Sequence, residues 1–181
     1  LPAPRCVSEL DSRRPTVYLS LGSEGLADLL PQLGRLVREG MQVVVATGAP
    51  DVFPPEVVPD AVFLEQYVNV DLLLPHCDAV CCHGGNGTLY QALQAGLPVV
   101  VVATHQEQAY GGKRLERLGL GRSMMLKRVQ SDGFEPVVAA LRHVLADGGY
   151  RTRARGFSGH FARYRGAEAI ADAIETARRP R

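Results

Sequence analysis

The sequence predicts an α/β domain whose six parallel strands form one doubly wound sheet, and three observations predict it. Continuous apolar, largely β-branched runs recur along the 181 residues. Such runs suit strands covered on both faces rather than strands with one wet face. Segments of helical period stand between them, the alternation expected of strand–helix–strand crossovers. Short glycine-rich or polar loops close several runs at their carboxyl ends, where ligands of such sheets bind.

Residues 1–14 are rich in proline and charge and read as a linker from a missing amino-terminal domain, leaving 15–181 as one domain. Thr16 to Leu21 is the first strand, closed by Gly22 and Ser23. Leu29, Leu30, Leu33, Leu36 and Val37 form one helical stripe that stops at Gly40, and Pro31 fits only if the helix starts near Asp28. Met41 to Ala46 is the second strand; a proline-rich connection leads to the third at Ala61 to Leu64. Leu72 to Leu74 suggests a short helix closed by Pro75, ahead of a central strand at Asp78 to Cys82. Leu89, Ala92 and Leu93 recur at helical spacing, with Gly96 and Pro98 as the stop. A fifth strand, Leu97 to Val102, precedes a helix ending at Leu118, although Gly111 and Gly112 weaken that helix. Met124 to Leu126 is a weak sixth strand. Asp132 and Glu135 form a capping box for a helix reaching Ala146. Arg151, Arg153, Arg155, Arg163 and Arg165 read as a solvated face, or as contacts to a missing half. A last helix over Ala167 to Ala177 puts Ile170 and Ile174 on one face.

Hydrophobic content of 46% and a formal net charge of +1 describe an ordinary globular chain, with nothing that demands nucleic acid or an anionic membrane. No apolar run approaches the ~20 residues of a membrane span, and the leading residues lack the order of a secretory signal, so the chain reads as cytoplasmic. Its start at Leu1 reads as a fragment or processed form. Cys81 and Cys82 are neighbours on a strand, so their side chains diverge and cannot share one metal. Together with Cys6 and Cys77 they read as small buried hydrophobes in a reducing compartment, and no metal is expected.

The chemistry concentrates at His83-Gly84-Gly85-Asn86-Gly87-Thr88, between the central strand and a helix start. The glycines clear side chains from a bound group, Asn86 or Thr88 caps the helix, and its free N–H groups favour an anion that His83 also reaches. This is a phosphate cradle. A dinucleotide fingerprint is absent, because Tyr90 stands where a third glycine belongs and no acidic residue follows the next strand; a Walker loop lacks its Gly-Lys-Ser/Thr.

Beyond that turn, the blocks Leu73-Leu74-Pro75-His76-Cys77-Asp78, His83 to Thr88, Gly96-Leu97-Pro98 and Glu107-Gln108, with their spacing, resemble the donor-binding half of GT-B glycosyltransferases. That group includes UDP-glycosyltransferases and macrolide or antibiotic glycosyltransferases, and its donor-binding half is Rossmann-like. The resemblance covers nearly the whole chain. It implies that His83 contacts the donor diphosphate and that Gly84, Gly85, Asn86, Gly87 and Thr88 cradle its phosphates. By the same likeness Gly22 and Ser23 close over that group, and Glu107 and Gln108 hydrogen-bond sugar hydroxyls. His105 joins the sugar loop, with plain solvent exposure as its alternative. Tyr67 and the main chain at Val68 stand beside the nucleotide base. Three positions depart from the family pattern: Asn69-Val70 replaces Pro-Gln, Ala103 replaces a proline, and Gly111-Gly112 replaces Asn-Ala.

The resemblance therefore implies the donor-binding domain of an inverting glycosyltransferase, moving a sugar from a UDP- or dTDP-sugar to a hydroxyl of a small-molecule acceptor. The nucleotide sugar is substrate and no cofactor is expected. No catalytic residue is expected in this chain apart from leaving-group stabilisation by His83, since the base lies in the absent half. Alternatives are a stand-alone donor subunit of a split enzyme and half of a GT-B-like sugar-nucleotide epimerase.

Overall fold

The computed structural model describes residues 2, 4–20, 32–48, 58–163 and 166–178. Its strands are β1 (Thr16–Ser20), β2 (Gln42–Ala46), β3 (Val62–Glu65), β4 (Ala79–Cys82), β5 (Val99–Ala103) and β6 (Gly121–Met125). Its α-helices are α1 (Leu33–Arg38), α2 (Val70–Leu73), α3 (Asn86–Gln94), α4 (Gln106–Arg117), α5 (Leu126–Asp132), α6 (Glu135–Ala146), α7 (Gly148–Arg163) and α8 (Gly166–Arg178). Every strand pair is parallel and the order is β3-β2-β1-β4-β5-β6. The chain leaves β1 toward one edge and returns at β4 to build toward the other, so the switch point lies between β1 and β4.

The strands are apolar throughout because both faces are buried. Val17, Leu19, Val43, Val45, Cys81, Val100 and Val102 pack into one core with Leu33 and Leu36 of α1, Val129 of α5 and Val137, Leu141 and Val144 of α6. The alternate residues, Tyr18, Val44, Val80, Cys82, Val99 and Val101, face a second core closed by α2, α3, α4 and α7. Cys81 and Cys82 thus enter opposite cores, as neighbouring strand residues must. Each wholly buried leucine or valine contributes about 1.5–3 kcal/mol of transfer free energy, and this supplies the sheet's stability.

The structure corrects several local expectations. Asp132 does not cap α6. It ends α5, where its carboxylate pairs with Arg128 at 3.5 Å and accepts from Ser131 Oγ at 2.8 Å. Gly133 then turns the chain at φ +71°, and Phe134, buried in the first core, takes the N-cap position with Pro136 in the first turn. The sixth strand starts earlier than expected, at Gly121, because its register on β5 runs from Val99↔Gly121 to Ala103↔Met125; Leu126 opens α5, a helix the sequence did not suggest. α4 runs through Gly111 and Gly112. Gly112 lies against β6, where a Cβ would collide with Ser123 Oγ.

The stretch expected as a linker is fastened to the sheet's amino edge. A short 3₁₀ helix, Arg5–Glu9, buries Cys6. The buried Gln42 amide accepts from Asp11 N (3.0 Å) and donates to the Asp11 carbonyl (2.9 Å) and Thr16 Oγ1 (2.8 Å). Arg14 donates to the Gly40 and Met41 carbonyls at 3.1 and 2.8 Å, just past the end of α1. The arginines of α7 are not simply a solvated face. Arg151 donates to the Cys77 and Asp78 carbonyls and pairs with the Asp78 carboxylate at 3.3 Å, while that carboxylate accepts from Thr16 N at 2.9 Å. Arg153 donates to the Gly119 carbonyl at 2.8 Å and stacks over Tyr150. Arg155 lies on Gly96, whereas Arg163 is exposed and Arg165 is outside the described residues.

Candidate functional site

The carboxyl ends of β1, β4 and β5 stand side by side, and the turn after β4 occupies the switch point. His83 N donates to the Ser20 carbonyl at 3.4 Å, and the ring Nδ1 lies 3.4 Å from the same oxygen. A carbonyl only accepts, so this contact assigns the ring hydrogen to Nδ1. Nε2 then lies over Gly85, where a Cβ would collide with it. Gly84 adopts φ +90°, and a Cβ there would stand 2.8 Å from Val101 Cγ1 and 3.3 Å from Gln108 Cβ. Both glycines are demanded by the protein itself. Gly87 is different: a Cβ there meets no protein atom within 4 Å.

Gly85 is the N-cap of α3, and no side chain caps the helix. This corrects the expectation that Asn86 or Thr88 caps: both already lie in the first turn, one residue too late or more. The first intrahelical bond runs from Leu89 N to the Gly85 carbonyl at 3.1 Å. The N–H groups of Asn86, Gly87 and Thr88 therefore lack helical partners, and they open beside His83 at the positive end of the helix. That arrangement suits an oxyanion.

The neighbouring loop after β5 is built on Gln108. Its Oε1 accepts from Thr104 N (2.8 Å), Thr104 Oγ1 (3.0 Å) and His105 N (3.4 Å), closing the start of α4. Glu107 and His105 are exposed and Gln108 is half-buried. The structure thus brings His83 to Thr88 and Thr104 to Gln108 together, through the contact of Gly84 with Gln108. Tyr67 follows β3 at the same edge of the sheet with 64% of its surface exposed, while Val68 packs on the second core. Gly22 and Ser23 lie outside the described residues. Sequence reasoning missed Thr104, whose only signal was its place four residues before a glutamine at a helix start.

Burial keeps the thiols of Cys6, Cys77 and Cys82 in the neutral form. Burial pushes Cys82 up to about 11 and Cys77 to about 12, and burial with the Glu65 carboxylate pushes Cys6 to about 12. Among the described residues no group of three or more His, Cys, Asp or Glu is placed to hold a metal, and no helix is long and apolar enough to cross a membrane. A cavity of about 460 Å³ lies at the opposite edge, between the leading segment and α7. Its charges are largely spoken for, Arg13 by Asp11 and Arg151 by Asp78, and parallel sheets bind ligands at the other end. The glycine turn is therefore the candidate site.

A doubly wound parallel sheet with an uncapped, glycine-cleared helix start at its switch point defines a Rossmann-like α/β domain. Comparison with known proteins narrows this. The family model for the C-terminal domain of erythromycin biosynthesis protein CIII-like proteins matches residues 27–175, and the chain belongs to that family. The 4'-demethylrebeccamycin synthase of Lentzea aerocolonigenes is 32% identical over 170 residues, covering 92% of this chain and 38% of that protein. The crystal structure of CalG4, the calicheamicin glycosyltransferase, superposes with a TM-score of 0.76 at 25% identity, over 92% of this chain and 44% of that one. The spinosyn rhamnosyltransferase SpnG complexed with thymidine diphosphate shares the fold, with a TM-score of 0.77 at 23% identity over 97% of this chain and 48% of that one. The chain thus spans less than half the length of these relatives and corresponds to the C-terminal half of antibiotic-type GT-B glycosyltransferases.

Proposed function

We propose that this chain is the donor-binding half of an inverting glycosyltransferase that uses a thymidine or uridine diphosphate sugar. The observation that carries the reading is the uncapped first turn of α3 beside His83, opening at the switch point. The diphosphate sits against the N–H groups of Asn86, Gly87 and Thr88. Tyr67 and Val68 flank the base; Glu107, Gln108 and His105 face the sugar. The nucleotide sugar is the substrate and no cofactor takes part.

In the reaction an acceptor hydroxyl oxygen attacks the anomeric carbon, and the bond from that carbon to the β-phosphate oxygen breaks. Negative charge accumulates on the departing diphosphate, where fixed N–H dipoles stabilise it more than they stabilise the ground state. With Nδ1 on the Ser20 carbonyl, Nε2 is the ring atom left to face a phosphate oxygen. The acceptor, a small molecule, and the base that takes its proton belong to an amino-terminal half or partner subunit. Ile170 and Ile174, one turn apart on α8 and 63% and 55% exposed, suit contact with that half.

Calorimetric titration with thymidine, uridine and guanosine diphosphates and with NAD tests the reading. One of the first two binds, and His83→Ala weakens it about tenfold, or ~1.4 kcal/mol. Tight NAD binding indifferent to His83 contradicts it.

A further inference from the structure

Three donors converge on one atom of Gln108, and two of them are backbone N–H groups, from Thr104 at 2.8 Å and His105 at 3.4 Å. Backbone N–H groups only donate, so that atom is the amide oxygen. The third donor, Thr104 Oγ1 at 3.0 Å, completes its acceptor capacity. What remains of the side chain's hydrogen-bonding capacity is its NH2 group, for which the described residues supply no hydrogen-bond partner. The stem of the same side chain packs on Gly84, whose φ of +90° fixes the start of the glycine turn. The amide is therefore held in orientation by Thr104 and in position by the turn.

We infer that Thr104 is a positioning residue that fixes the Gln108 amide so that it meets a bound sugar only as a donor. Resting on the donor-binding reading above, this assigns the two adjacent residues opposite hydrogen-bond polarity. Gln108 takes an oxygen lone pair of the hexose, whereas the Glu107 carboxylate, an acceptor only, takes hydroxyl hydrogens. A hexose carrying a hydroxyl that faces Gln108 is bound; its deoxy counterpart at that carbon forfeits the contact. The selectivity is for an acceptor oxygen held next to the diphosphate.

The test compares, on this chain, the affinity for thymidine or uridine diphosphate with that for its glucose and rhamnose esters. The ratio isolates the sugar's contribution. Wild type favours at least one ester about tenfold over the bare diphosphate. Gln108→Glu keeps an oxygen for the Thr104 and His105 N–H groups but turns the outward donor into an acceptor. It leaves the melting temperature undiminished and abolishes the ratio. Thr104→Val reduces the ratio about three- to tenfold and Thr104→Ser restores it. A ratio that survives in Gln108→Glu, or that is absent in wild type, overturns the inference while leaving diphosphate binding intact. Failure of wild type to bind either bare diphosphate overturns the donor-binding reading and this inference with it.

Discussion

The three glycines of the turn do different work, and substitution separates them. Gly84 and Gly85 are needed by the fold, because a Cβ would meet Val101 and Gln108 in one case and the His83 ring in the other. Gly87 meets nothing, so its value lies with whatever fills the space in front of it. Gly87→Ala therefore raises stability by up to about 1 kcal/mol through helix propensity, yet weakens diphosphate binding several-fold. Chemical denaturation and calorimetry on the same variant read the two effects. Gly85→Ala lowers both. The buried thiols make a further residue-scale prediction. Their folded pKa values are raised, to about 11 for Cys82 and about 12 for Cys6 and Cys77. The stability tied to the neutral thiols is thus complete below the unfolded value near 9 and is lost as pH rises through the folded ones. Native protein at pH 8 reacts slowly with a thiol reagent and fast when unfolded, and Cys82→Ala flattens the stability loss between pH 9 and 11.

Helices and strands were legible in the sequence where burial is two-sided, and less so where it is not. β1, β2, β4 and β5 are continuous apolar runs because each face meets a core. β6 is an edge strand with Arg122 exposed, so only part of it stood out, and α5 directly behind it was hidden. The cap of α6 misled because Asp132 and Glu135 have the right spacing, yet Arg128 and Ser131 already engage Asp132 in the preceding helix. Gly112 looked like a weakness in α4 and is instead where α4 closes on β6. Gly112→Ala accordingly destabilises the domain by about 1–3 kcal/mol through overpacking against Ser123, measured by urea denaturation, whereas Gly111→Ala, with open space around it, does not. The glycine turn itself was readable as structure, since a strand, three glycines and a helix start are all local. The Thr104–Gln108 cap was not readable, because a polar pair at a helix start looks the same whether it binds a sugar or its own backbone.

At the scale of the molecule, the strand order places the switch point between β1 and β4, and everything proposed for the chain gathers at that edge. The opposite edge is structural. There the leading segment, Gln42, Asp78 and Arg151 tie β1, β2, β4 and α7 together, so Asp78→Ala costs stability, by about 1–3 kcal/mol from the loss of charged hydrogen bonds, while leaving diphosphate affinity unchanged. Backbone amide NMR during titration with thymidine or uridine diphosphate is the most direct test of the division. The amides of Asn86, Gly87 and Thr88 shift downfield together on binding, with those around Asp78 and Arg151 unmoved. Shifts confined to the arginine-lined edge, or absent from the first turn of α3 at saturation, contradict the assignment of this turn as the diphosphate cradle.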